Sequence, residues 1–311
     1  MANLKNIRDR ISSINNTQKI TRAMKMVAAA KVKKAENRVK ASRPFTKELR
    51  QMLSKIVGSF EGTSDDIVLD SNPMVNIPAL MGKKTIKNVG LLVITSNKGL
   101  AGAFNANVIR HTIKKVESYN AQGIGCKLFI VGQKGFNGLK KITGSQGVQN
   151  KQLNVEILHA YTKFAQEPSS ASASVVAEDM AKALVDGLVD TFEIVTTRFR
   201  NMMSYSVEDW SILPIVQEDK EEGAIDLQMD FEPDLSSILL KIVPLYISNT
   251  IFQAILESTA SELASRMTAM SAACNNAEEM IRILTIDYNK ARQSAITQEI
   301  LEVVGGADSL K

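Results

Sequence analysis

Apolar residues at the start of the chain recur in steps of three and four. Leu4, Ile7, Ile11 and Ile14 open the series, and Gln18, Thr21, Met24 and Ala28 continue it with weaker side chains. That period is the seam of a coiled coil and predicts one long helix over residues 4–57. Pro44 falls inside the pattern and predicts a kink or a local break. Gly58 and Gly62 end it. The far end of the chain shows the same period more strongly. Leu256, Ala260, Leu263, Met267, Met270, Cys274, Ala277, Ile281, Leu284, Tyr288, Ala291 and Ala295 step by four and three without a miss, and no Gly or Pro interrupts before Gly305. Residues 245–304 predict a rod on the order of 90 Å at 1.5 Å per residue. Helical patterning starts at Leu235 and is interrupted at Pro244. Two seamed segments at opposite ends of one chain can bury their stripes against each other. The pattern therefore predicts an antiparallel coiled coil with a left-handed supercoil.

The middle of the chain changes period. KNVGLLVIT (87–95), CKLFIV (126–131) and FEIVTTRF (192–199) are short apolar runs. Helical stretches separate them: AFNANVIRHTIKKVESYNA, a short GFNGLKK, and SASVVAEDMAKALVDGL. Alternating buried strands and helices predict a partly parallel sheet covered by helices. SVEDWSILPIV (206–216) adds a strand expected to be antiparallel at an edge. The predicted fold class is α/β: a long antiparallel coiled coil of the N- and C-terminal helices plus a Rossmann-like α/β domain. Its expected parts are a helix over 1–61, a linker over 62–84, the α/β domain over 85–218, a connector over 219–234, and a helix over 235–311.

Charge adds an asymmetry. Residues 1–50 hold 14 Lys or Arg against 3 Asp or Glu, on a chain whose net charge is only +5. A basic arm on a mildly acidic body implies an anionic partner, with DNA, RNA, an anionic membrane and an acidic protein surface all open. Two cysteines, Cys126 and Cys274, make no disulfide framework and imply thiols in a reducing compartment. The start, MANLKNIRDRISS, has no apolar h-region, so no secretory signal is expected. No run is read as approaching the roughly 20 apolar residues that span a bilayer.

Catalytic chemistry is hard to find. TSNKGLAGAFN (95–105) follows a strand and opens a helix, where α/β sheets hold phosphates. It has neither G-x-G-x-x-G nor Gly-Lys-Ser/Thr spacing. Gly99 and Gly102 are expected to permit a tight turn. His111, in a helix, and His159, near a loop, have no ligand partner at metal spacing. Trp210 is expected to pack within a strand. Asp65–Asp66 and Glu221–Glu222 read as solvated surface. The expectation is no catalytic residue, no cofactor and no metal. The basic arm lacks the interleaved aromatic readers of nucleic-acid binding, and its cations at 19, 22, 25, 31, 33, 34, 38 and 40 run around the helix instead of down one stripe.

Four stretches in three parts of the chain resemble one family closely. NTQKITRAMKMVAAAK (16–31), TSNKGLAGAFN, and the pair ELASRMTAMSAACNNAEEM and YNKARQSAITQEILEVVGGADS are similar to motifs of the gamma subunit of the F-type rotary ATP synthase. The resemblance covers essentially the whole chain. It implies a central shaft inside a ring of three alpha and three beta subunits, with the α/β domain resting on a membrane ring of c subunits and binding the epsilon subunit. Proton or sodium flow turns the ring, and ATP is made on beta. By the same resemblance, Met24 and Lys25 lie near the acidic levers of beta, Arg266 matches the arginine of the RMTAM motif, and Arg292 and Gln293 meet a catch loop of beta. Thr297 and Glu299 lie in the coupling segment, and Glu232 approaches the c ring. Beyond Ala295, Ile296, Ile300, Leu301, Val303 and Val304 are expected to lack a partner helix and to need an apolar collar. Plastid members carry a regulatory insertion with a cysteine pair after the strand ending at ILPIV. This chain has no cysteine there, which argues against such a switch. The implied location is peripheral, on the cytoplasmic face of a bacterial inner membrane, ahead of a mitochondrial matrix. Competing readings are a nucleotide-binding α/β enzyme with helical arms and a basic coiled coil on nucleic acid.

Overall fold

The computed structural model describes residues 4–58, 86–141, 153–162, 168–213 and 235–308. The expected linker 62–84, the connector 219–234, the acidic pairs Asp65–Asp66 and Glu221–Glu222, and Glu232 lie outside the described residues. In chain order the elements are α1 (Leu4–Gly58), β1 (Asn88–Ile94), α2 (Phe104–Ala121), β2 (Gly125–Val131), α3 (Gln133–Leu139), β3 (Val155–Tyr161), α4 (Ser170–Val185), β4 (Thr191–Asn201), β5 (Ser204–Leu213) and α5 (Leu235–Asp308).

The chain divides into two compact units. The first holds Met1–Ala30 and Arg266–Lys311. Its buried and half-buried positions on α1 are Leu4, Ile7, Ile11, Ile14, Gln18, Thr21, Met24 and Ala28, the expected seam, with Asn15 and Ala29 beside it. On α5 they include Met267, Met270, Cys274, Ala277, Ile281, Leu284, Tyr288, Ala291 and Ala295. A unit made of two helical segments can bury these stripes only against each other. Their Ala, Thr and Cys side chains let the backbones approach closely.

The second unit, Lys31–Ser265, contains the sheet. Strand order is β3-β2-β1-β4-β5. All pairings are parallel except β4 with β5, which is antiparallel and at the edge, as the sequence predicts. The strand β3 is one that sequence reading missed, and it places His159 on a strand, not near a loop. An edge strand carries only half a stripe, and VEILHAY mixes Glu and His into it. Side chains alternate across the sheet. Val89, Leu91 and Val93 face α2 and α3, with Val108, Val116 and Leu139. Leu92 and Ile94 face the opposite core, which joins Leu49 and Leu53 of α1, Met180 of α4, and Ile247 and Ile251 of α5.

Within this unit α1 and α5 run antiparallel. Asn249 Nδ2 donates to Thr46 Oγ1 (2.9 Å), Arg43 meets Glu257, and Val32, Ala35 and Val39 share a core with Leu256, Ala260 and Ala264. As numbers fall on one helix they rise on the other. Both helices run unbroken through their prolines, so the expected break at Pro44 and interruption at Pro244 do not occur. Each proline is exposed, and so is the residue four before it, Lys40 or Leu240. The carbonyl that loses its intrahelical donor lies on the solvent side, where water can replace the bond. The helix α5 also contains an 18-residue stretch as apolar as a membrane span, contrary to the sequence reading, but half of it is buried inside the protein.

Candidate functional site

The turn after β1 is where a doubly wound sheet offers its donors to phosphate. Here those donors are used internally. Gln133 N–H donates to Asn97 Oδ1 (3.0 Å), Lys134 N–H to the Ser96 carbonyl (3.1 Å), and Gly135 N–H to Thr95 Oγ1 (2.9 Å). The first three amides of α3 therefore bind the β1 turn instead of an anion. The turn is held again by Asn105, which accepts from Ser96 N–H at 3.0 Å, and by Ser265 of α5, which donates to the Ala101 carbonyl at 2.7 Å. Its left-handed residues are Leu100 (φ 62) and Gly102 (φ 54). Gly102 meets the expectation of a tight turn. Gly99 does not take that conformation, and Leu100 takes it in its place.

The titratable side chains of the α/β unit also hold one another. Lys115 on α2 reaches Glu193 on β4 (2.5 Å) and Asp209 on β5 (2.8 Å), and His111 Nε2 lies 3.0 Å from Asp209. The set fastens α2 across two strands. Burial, with Glu193 nearby, pushes the Cys126 thiol up to about 11 and raises Tyr119 above its ordinary value. Both stay protonated at neutral pH, so Cys126 is no thiolate nucleophile. Iodoacetamide at pH 8 is expected to spare Cys126 in the folded chain and to modify it in urea, as peptide mass mapping would read. Rapid native labelling of Cys126 would contradict this packing. Among the described residues no group of three His, Cys, Asp or Glu is placed to hold a metal.

Of the residues singled out by the resemblance, all but Glu232, which lies outside the described residues, are on the two long helices. Met24 is half-buried in the seam, and Lys25 beside it is exposed. Lys19, Arg22, Lys31, Lys33, Lys34, Arg38 and Lys40 are exposed too, all off the buried stripe. One acid lies among them: Lys40 and Lys33 reach Glu36 at 2.8 and 3.4 Å and hold its carboxyl below the usual range. Arg266 is half-buried on α5. Arg292, Gln293, Thr297 and Glu299 are exposed, roughly seven helical turns further on. Thr297 Oγ1 donates to the Gln293 carbonyl at 2.9 Å. These side chains form no single pocket; they are spread along two helices. After Ala295 every described side chain is exposed, with Ile300 at 57%, Leu301 at 65% and Val303 at 73%.

Sequence reading missed one polar site. Glu257 is fully buried and receives Arg43 through Nε (2.7 Å, to Oε1) and Nη2 (3.0 Å, to Oε2). The carboxylate raises the Arg43 guanidinium further above its ordinary value. A signal was present: Glu257 is the only charged residue between Lys241 and Glu262. A lone carboxylate in such a run must find a cation inside the fold.

Comparison with known proteins gives a consistent result. A family model described as ATP synthase matches residues 3–310. The chain is 38% identical over 336 aligned positions to the ATP synthase gamma chain of Gloeothece citriformis, covering 100% of both. It is also 38% identical, with the same full coverage, to that of a Cyanothece species. Among solved structures it is similar to a chain of the Tetrahymena thermophila mitochondrial ATP synthase central stalk and c-ring, at TM-score 0.54 and 26% identity, covering 82% of this chain and 99% of that one. A chain of the Euglena gracilis mitochondrial ATP synthase shares the fold at TM-score 0.66 and 17% identity, covering 99% and 94%.

Proposed function

Given that this chain belongs to the ATP synthase gamma-chain family, we propose that it works as the rotor shaft that couples ion flow through a c ring to ATP synthesis and hydrolysis on surrounding alpha and beta subunits. Gamma chains belong to the central stalk and are not the catalytic beta subunits. The shaft's own residues therefore transmit torque and bind neighbours, and none needs to touch the reacting phosphates.

The observation that carries the reading is the end of α5. Ile296, Ile300, Leu301, Val303 and Val304 are all exposed there. Apolar side chains grouped on an uncovered helix end mark a surface built to be covered. An apolar collar made by alpha and beta suits them. The exposed cations around Lys25 suit the acidic levers of beta, with Met24 holding that turn in the seam. Arg292, Gln293, Thr297 and Glu299 offer exposed polar groups to a catch loop of beta, and Arg266 belongs to the same set of beta contacts. Glu232 is assigned to the approach to the c ring. On this reading one copy serves three alpha and three beta subunits and binds epsilon, proton or sodium flow drives it, and its contacts regulate ATPase activity and ion flow. It sits on the cytoplasmic face of a bacterial inner membrane, peripheral through the c ring, with no nucleic-acid partner.

Purification from native membranes through a tag on this chain tests the reading. The expected product contains three alpha and three beta chains per copy and hydrolyses ATP. Recovery of the chain alone, or on nucleic acid with steep salt dependence, would overturn it.

A further inference from the structure

Strand β4 overhangs its neighbour. It pairs with β1 only from Val89↔Thr191 to Val93↔Val195, yet it continues to Asn201. Beyond Val195, no strand among the described residues lies beside the edge turned away from β5. Such an edge leaves backbone groups that must be satisfied. At Phe199 two side chains from the terminal helices do this. The Phe199 N–H donates to Glu257 Oε2 of α5 at 2.8 Å, and the Phe199 carbonyl accepts from Arg43 Nη2 of α1 at 2.8 Å. The same two side chains bind each other through both guanidinium teeth, and Gln253 Nε2 donates to Glu257 Oε1 at 3.0 Å. One turn earlier on α5, the Ala254 carbonyl accepts from Thr196 Oγ1 at 3.2 Å.

Apolar contact alone would hold these elements together. Val39, Leu256, Ala260 and Phe199 share one core. Burial of apolar surface is non-directional, however, and resists separation more than sliding or twisting. A forked guanidinium–carboxylate pair is planar and fixes both distance and angle. Buried ion pairs seldom add net stability over apolar replacements of like volume. Their distinctive contribution is orientation.

We propose that the Arg43–Glu257 pair, closed on the backbone of Phe199, is a torsional lock that fixes α1 and α5 to the sheet so that twist passes between them without slip. The proposal rests on the rotor reading. Arg43 and Glu257 act as positioning residues, and their partner is the chain's own backbone.

The test uses the assembled ATP synthase, held by its alpha–beta ring, with a probe attached to the α/β domain of this chain. The variant Arg43→Leu with Glu257→Met removes both charges together and leaves neither unpaired. It is expected to assemble, to hydrolyse ATP at the parent rate, and to widen the angular fluctuation of the stalled probe by at least about two-fold, because the directional contacts are gone. ATP-driven ion pumping is expected to fall relative to hydrolysis. Should that variant fail to assemble, Arg43→Lys keeps the charge, loses the fork, and carries the same expectation. Unchanged fluctuation and pumping in an assembled variant would overturn the lock. So would a lowered melting temperature with unchanged fluctuation, which is what mere structural support predicts. A parent complex that does not rotate would instead overturn the rotor reading itself, so the two failures are separable.

Discussion

Replacing Gly132 with alanine is expected to destabilise the α/β domain by ~3 kcal/mol or more, from backbone strain and overpacking together. Gly132 joins β2 to α3 at φ 102, a conformation side-chain-bearing residues rarely adopt. A Cβ there would lie 2.6 Å from Thr95 Oγ1 and would overlap the Thr95 carbonyl. Thr95 cannot step aside. Its N–H donates to the Val131 carbonyl at 2.8 Å, and its hydroxyl accepts from Gly135 N–H at 2.9 Å. Gly123 separates the two costs. It has φ 76, and nothing lies within 4 Å of where a Cβ would stand. Gly123→Ala should therefore cost only about 1 kcal/mol of backbone strain. Urea unfolding followed by the fluorescence of Trp210, the single tryptophan, measures both. Equal midpoints for the two variants would show that the β1 turn and the head of α3 are not packed as described.

Phe129→Ala is expected to cost ~3–5 kcal/mol by leaving a cavity that its neighbours cannot fill. Phe129 is fully buried on β2, edge-on to Phe192 at 5.7 Å between centroids and stacked on His159 at 5.5 Å. Its core also contains Leu53 of α1, Met180 of α4 and Ile251 of α5. The void would open between the sheet and the paired helices. Amide exchange in the variant should therefore rise along Leu49–Ile56 and along α4 while β1 stays protected from the other face. A loss under about 1 kcal/mol would mean that the core is not continuous across these layers.

The coiled-coil seam was legible because its period is long and sustained. Each position from Leu4 to Ala28, and from Met267 to Ala295, is buried or half-buried where three-and-four spacing puts it. The central strands were legible because they are covered on both faces and read as continuous apolar runs. The edge strand β3 was not, since its apolar residues are at most half-buried and Glu156 and His159 interrupt them. Proline misled because the rule concerns a lost hydrogen bond, and its cost depends on whether the freed carbonyl faces water. Of the candidate site, the exposed apolar end of α5 follows from the seam outlasting its partner. The Arg43–Glu257 pair joins residues 214 apart in sequence, and no local pattern reports such a contact.

The bare end of α5 also bears on how the chain is made. Ile296, Ile300, Leu301, Val303 and Val304 are greasy while the polypeptide is still alone. Copies produced in surplus would meet one another through those side chains before meeting anything else. Synthesis in step with the proteins that sheathe this end is then a matter of solubility as well as economy, and an overproduced orphan subunit should precipitate first through its last few turns.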